Sequence, residues 1–110
     1  MDDNEKIILE KTLEAETKIT GIWRDENGEL WQFFKIEPGD REGQLLITYP
    51  TNPPTGRQLK YEIIWVSDSG IYLNIIMTSI PKPPDQHKIE FIGNSLSISS
   101  ETLRRLLNKA

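Results

Sequence analysis

What constrains this chain most is its punctuation. Asn27-Gly28, Ser69-Gly70 and Gly93-Asn94 each separate two short runs rich in apolar and aromatic residues. Asn-Gly is the strongest short hairpin signal, because both residues accept positive φ. The longest apolar runs, residues 45–47, 63–66 and 75–77, are of strand length. None approaches the roughly 20 apolar residues that a membrane helix needs. The chain therefore reads as strands folding back on one another, with no membrane partner.

The spacing predicts seven strands, over residues 19–24, 29–37, 44–49, 57–66, 71–78, 87–92 and 95–99. Pro38-Gly39-Asp40 with Gly43 marks one turn, and Ser67-Asp68-Ser69-Gly70 another. Residues 50–56 and 80–86 are stiff proline-rich loops, because proline fixes φ and removes a ladder donor. In the fourth strand Leu59, Tyr61, Ile63 and Trp65 share one face, opposite Lys60, Glu62, Ile64 and Val66. The first set should face inward, because the second carries the charges. In the fifth, Ile71, Leu73, Ile75 and Met77 share the inward face.

Residues 1–16 form a lead-in, capped by Asp2 or Asp3 and read as a helix or a frayed tail. Leu9 and Leu13, with Ile8 and Thr12 beside them, give it a narrow apolar stripe suited to a sheet edge or a barrel mouth. Residues 100–108 read as a closing helix capped by Ser99 or Ser100, with Glu101 in its first turn. Leu103, Leu106 and Leu107 would line one face of it, and Arg104, Arg105 and Lys109 suit its C-terminal half. The expected architecture is one mainly β domain over residues 1–110. Its meander, residues 17–99, is antiparallel and curls into a small barrel or strongly curved sheet, since a long meander must hide its edges.

Length and composition fit that reading. With 110 residues, 36% hydrophobic and 27% charged, the chain matches one soluble globular domain. Its net charge is -4, the wrong sign for non-specific attraction to nucleic acid. With no cysteine it has no disulfide, thiolate nucleophile or thiolate zinc site, and it suits the cytoplasm. The acidic start, Met1-Asp2-Asp3-Asn4-Glu5, lacks the basic character of a secretory signal, although such a signal could have been trimmed.

Gly21-Ile22-Trp23, on the first strand just after the helical lead-in, resembles the glycine-x-tryptophan signature of the lipocalin-like families. The layout is similar over residues 17–99. An aromatic-rich second strand follows (Leu30, Trp31, Phe33, Phe34), and the closing hairpin ends in Ser95-Leu96-Ser97-Ile98. The resemblance implies an up-and-down barrel, with Trp23 plugging its closed end and an interior that is packed or holds a small apolar molecule. The family barrel has eight strands in a longer chain, against seven counted here, and many secreted members carry cysteines that this chain lacks. Without the family, Gly21 reads as a strand bend and Trp23 as a large core residue.

Little in the sequence speaks for catalysis. His87 is the one histidine, with Asp85 and Glu90 as its nearest acidic neighbours in sequence, fewer ligands than zinc wants. It begins a strand after a proline loop and reads as a solvated surface residue. No serine stands in a nucleophile elbow. Glu37, Glu62 and Glu90 alternate with apolar residues and read as the outer face of the sheet. Gly39 and Gly43 flank a turn, not a phosphate cradle. Trp31, Phe33 and Lys35 alternate on one face, which reads as packing in an acidic chain. Pro50-Thr51-Asn52-Pro53 and Pro81-Lys82-Pro83-Pro84 match a loose polyproline spacing, and rigid connection is the plainer account.

The strands carry more large apolar residues than one buried face needs. Two non-catalytic readings follow, neither with a metal or cofactor. A small hydrophobic ligand would sit in a lipocalin-like barrel lined by Trp23, Phe34, Tyr61, Trp65, Leu73 and Ile75. Alternatively, an interaction module (adaptor, inhibitor or self-associating homodimer subunit) would present Trp31, Phe33, Ile64, Tyr72 and Ile76 to a protein partner. An interior cavity of roughly 300 Å³ or more would favour the ligand. An enzyme would instead need a buried carboxylate of raised pKa in a cleft.

Overall fold

In the computed structural model the described residues are 3–37, 42–77, 83 and 85–110. Asp2 as a cap, the turn at Pro38-Gly39-Asp40 and most of the second proline loop, including Pro81, Lys82 and Pro84, lie outside that set, as does the side chain of Ile8. One helix, α1 (Asp3–Ile19), precedes eight strands: β1 (Gly21–Asp25), β2 (Leu30–Phe34), β3 (Glu42–Tyr49), β4 (Thr55–Ser67), β5 (Gly70–Met77), β6 (Asp85–Ile92), β7 (Ser95–Ser99) and β8 (Arg104–Lys109). Each strand pairs antiparallel with the next, and β8 pairs back onto β1, so the meander closes into a barrel.

Period-two alternation decides which residues fill the barrel. Phe33, Leu45, Leu73, Ile89, Leu96, Ile98 and Leu107 point inward with no solvent exposure. Gly43 faces Tyr61 across the β3–β4 ladder, and the tyrosine ring occupies the space that a side chain on Gly43 would need. Tyr61 in turn meets Phe33 edge-on, with ring centroids 5.4 Å apart.

The turns are those of the sequence, with one difference of type. Asn27 does not take positive φ; Gly28 alone does, at 87°. Gly28 N–H donates to Asp25 C=O (3.2 Å) and Asp25 N–H to Glu29 C=O (3.0 Å). That is a three-residue loop closed by a left-handed glycine, not the two-residue form. Gly93, φ 60°, opens a two-residue turn between Ile92 and Ser95.

Three sequence expectations fail, each for a physical reason. Residues 104–109 form β8, an eighth strand, and not a helix. Ser100 does cap: its Oγ accepts from Leu103 N–H (3.1 Å) and Thr102 N–H (3.4 Å). It caps a single turn, after which the chain fills the gap between β7 and β1. Closing two open edges outweighs the good helix propensity of Leu-Arg-Arg-Leu-Leu, which is worth only about a few tenths of a kcal/mol per residue.

The second failure lies in β4. A bulge at Ile64 lets Ile63 pair with Leu73 while Trp65 pairs with Tyr72. The extra residue reverses the alternation. Val66 packs against the core, and Trp65 turns outward, 58% exposed. The third concerns α1. Its buried face is Ala15 and Ile19, near its C-terminus, whereas Leu9 and Leu13 are exposed. The last turn docks on one barrel end, where Trp23 Nε1–H donates to Ile19 C=O (2.9 Å) and Lys35 pairs with Glu16 (2.5 Å). No helix among the described residues is long and apolar enough to cross a membrane.

Candidate functional site

A meander brings alternate strand ends to the same rim. The end of the barrel away from α1 collects the C-terminal ends of β1, β3 and β5 and the N-terminal ends of β2, β4, β6 and β8. A cavity of about 240 Å³ opens there. Ile47, Leu59, Ile75, Met77 and Leu103 supply apolar walls. Trp31, His87, Arg105 and Arg57 add polar atoms, with Tyr49, Glu29 and Asp85 beside them.

His87 reaches this wall by the alternation that places Ile89 inside. It is 7% exposed, not the solvated residue its position after a proline loop suggests. Its Nδ1 lies 3.0 Å from the Asp85 carbonyl, an acceptor. Because a carbonyl only accepts, Nδ1 carries a proton in that contact. Arg57 donates to Met77 Sδ (3.4 Å), spanning β4 and β5 at the rim.

Next to this cavity three adjoining strands carry buried polar atoms with no hydrogen-bond partner among the described residues: Trp31 Nε1 on β2, Asp25 Oδ2 on β1 and Arg105 Nε on β8. Asp25 is held by its own turn, since Oδ1 accepts from Asn27 N–H (2.9 Å) and Glu29 N–H (2.8 Å). Oδ2 faces Arg105 Nε at 3.9 Å, an ion pair too long to be a direct hydrogen bond. Leaving such an atom buried and unpaired costs about 1–3 kcal/mol. Trp31 and Arg105 line the cavity, and Asp25 lies behind Arg105 with its side chain fully buried.

The predicted ligand set does not line one space. Ile75 alone borders the mouth cavity. Leu73 and Tyr61 are buried in the packed interior, and Trp23 lies at the helix-covered end. Phe34 is half-buried on the outer face of β2, where the alternation puts it opposite Phe33, and Trp65 is outside because of the bulge.

The predicted interaction set divides in two. Trp31 and Phe33 are core-facing, which removes them from any docking surface. Ile64 is exposed, and Tyr72 and Ile76 are half-buried on the outer face. Tyr72 stacks with Trp65 (centroids 4.8 Å apart, planes 28° from parallel), and Lys88 Nζ stands 5.6 Å from the Tyr72 ring.

Asp25, Arg57, His87 and Arg105 were not singled out by sequence as site residues. For His87 a signal existed: it shares parity with Ile89. For Arg105 the same holds with Leu107, once residues 104–109 are read as a strand. Among the described residues no group of three or more His, Asp or Glu could hold a metal ion. Comparison with protein-family models, with curated proteins and with solved structures finds no match.

Proposed function

We propose that this is a non-catalytic binding protein, a lipocalin-like barrel that takes a small molecule into its open mouth. The observation that carries the reading is the buried Trp31 Nε1 without a hydrogen-bond partner among the described residues, on a cavity whose lining mixes apolar walls with Arg57, His87 and Arg105. Pockets that bind small molecules combine apolar walls with a few placed polar groups. At about 240 Å³ the mouth cavity falls short of the roughly 300 Å³ set for a ligand-holding interior, so the reading rests on the polar lining and the molecule is small. The polar atoms make it amphipathic, in contrast to the purely hydrophobic ligand that sequence suggests.

Saturation-transfer NMR against a panel of small amphipathic compounds tests the reading. Binding is expected in the wild type and is lost in Ile75→Phe, which fills the mouth. Absence of binders, or binding unchanged by Ile75→Phe, would overturn it.

The exposed Trp65–Tyr72 stack beside Ile64 favours a second reading, a docking surface for a protein partner or a second copy of the chain. Sedimentation equilibrium of the wild type and Trp65→Ser tests self-association. A concentration-dependent mass abolished by the substitution would support it.

A further inference from the structure

We infer that the α1-covered end of the barrel carries a second binding site, a groove that takes a planar aromatic anion such as an aryl carboxylate. It shares no residue with the mouth and stands or falls independently of it.

Strand parity builds the groove. Trp23 pairs with Lys109 across β1–β8, two residues beyond the Asp25–Leu107 pair, so both keep the inward parity where the barrel ends. Phe91 stands two residues on from the buried Ile89 and pairs with the buried Leu96, so it too has inward parity. An inward ring that is still 37% exposed shows that α1 closes this end only in part. What stays open is a groove of about 550 Å³, lined by Lys18, Trp23, Phe91, Gly93, Asn94 and Lys109. A Cβ on Gly93 would meet nothing within 4 Å, so the β6–β7 turn leaves its side of the groove clear.

The two rings stand 6.4 Å apart, tilted by 48°, and the Nε1–H bond to the Ile19 carbonyl fixes Trp23. Each ring carries an ammonium. Lys109 Nζ lies 4.7 Å from the Trp23 centroid, and Lys18 Nζ 5.9 Å from that of Phe91. A cation over a ring is held only weakly, and its remaining N–H donors stay available.

No carboxylate in the groove answers these charges. Lys35 and Lys88 each pair with a glutamate, whereas Lys18 and Lys109 form no ion pair among the described residues. No acidic side chain lines the groove. Glu14 and Glu90 border the neighbouring groove, which also takes in Lys18 and Phe91, and Glu90 is engaged by Lys88 at 2.9 Å. Carbonyls at the end of α1, whose partial negative charge would oppose an anion, are bonded from within. Ile19 C=O accepts from Trp23, and Glu16 C=O from the N–H (3.0 Å) and hydroxyl (2.5 Å) of Thr20. In a chain of net charge -4, this is a local positive spot beside aromatic surface. It favours a ligand that brings a ring and a negative charge together.

Naphthoate and naphthamide share a ring system and differ in charge. Amide-resolved NMR titration at pH 7 and low salt is expected to give naphthoate the tighter binding by about tenfold, at about threefold for each solvent-exposed ammonium. The shifted amides should cluster at Phe91, Gly93, Asn94 and Lys109, at the end away from Ile47 and Leu59. Lys18→Gln and Lys109→Gln should each weaken naphthoate about threefold and leave naphthamide unchanged. Lys109→Arg should keep the wild-type preference, and Phe91→Ala should weaken both ligands alike. Added salt should erode the preference, because the charges are exposed. Equal affinity for the two ligands, or a preference untouched by either glutamine substitution, would overturn the proposal. So would shifts confined to the mouth, or no binding of naphthoate at all.

Discussion

The ring of Tyr61 lies across Gly43, its partner in the β3–β4 ladder, where any side chain on Gly43 would have to sit. The glycine is required by packing and not by backbone conformation, since it has no positive φ. Gly43→Ala should therefore behave as an overpacked core, losing about 1–3 kcal/mol. Pairing it with Tyr61→Leu should recover part of the loss, because the smaller side chain vacates the contact. Urea unfolding of the single and double variants measures the coupling. Purely additive losses would show that the two residues do not share that space.

The same tyrosine makes stability fall at high pH. Burial, and secondarily the negative charge of Glu16, pushes its pKa from 10.0 up to about 12. The folded state thus holds the phenol proton more tightly than the unfolded state does. Its contribution is complete below pH 10 and is lost as pH rises from about 10 to about 12, with a ceiling of about 2–3 kcal/mol. Tyr61→Phe should remove this part of the alkaline loss. At pH 7 it should be neutral or slightly stabilising, because the Tyr61 hydroxyl is buried with no partner among the described residues. Thermal melts of both proteins between pH 8 and pH 12 make the comparison, and parallel curves would contradict it.

Leu106 and Leu107 separate the two readings of the C-terminal segment. A helix would place them on one face together with Leu103. In β8 they point to opposite sides, Leu107 with 0% exposure and Leu106 with 45%. Leu107→Ala should cost about 2–5 kcal/mol, as other buried leucines do. Leu106→Ala should stay within about 1 kcal/mol. Equal costs in chemical denaturation would speak for the helix.

That segment shows where the sequence stops being legible. Turn chemistry is local, so Asn27-Gly28, Ser69-Gly70 and Gly93-Asn94 announced their hairpins, and the antiparallel meander followed from them. The eighth strand is a non-local event. Residues 104–109 carry a helix-compatible pattern; they form a hairpin with adjoining β7, but the edge that closes the barrel on their other side, β1, is distant in sequence. The bulge at Ile64 is hidden for a similar reason. An unbroken apolar run gives alternation no landmark, so one inserted residue sends Trp65 outward unannounced. The second strand misled in the same way: with apolar residues at every other position on both faces, nothing local set Trp31 and Phe33 inside and Phe34 outside. The mouth was least legible of all. Its polar residues come from five separated segments, and no spacing in the chain brings Asp25 to Arg105.

Trp23 and Trp31 offer a controlled test of how α1 is held. They are paired across β1–β2 and equally buried, each 4% exposed. Replacing either with Phe removes a similar part of an aromatic ring from the core. Only Trp23 uses its Nε1–H inside the described structure, donating to the Ile19 carbonyl at the end of α1 (2.9 Å), whereas Trp31 Nε1 has no partner. The shared packing loss cancels in the comparison, and the difference reports the hydrogen bond together with the weaker contact of Lys109 Nζ over the Trp23 ring (4.7 Å). Trp23→Phe should cost about 1 kcal/mol more than Trp31→Phe, or somewhat above that if the Ile19 carbonyl is left buried and unpaired. The extra loss should be local. Amide hydrogen exchange in the last turns of α1 should quicken in Trp23→Phe and stay unchanged in Trp31→Phe, because that contact ties the helix to the first strand. Equal stability losses with equal exchange would mean that the Trp23 hydrogen bond does not hold the helix, leaving the packing of Ala15 and Ile19 and the Lys35–Glu16 pair to dock it.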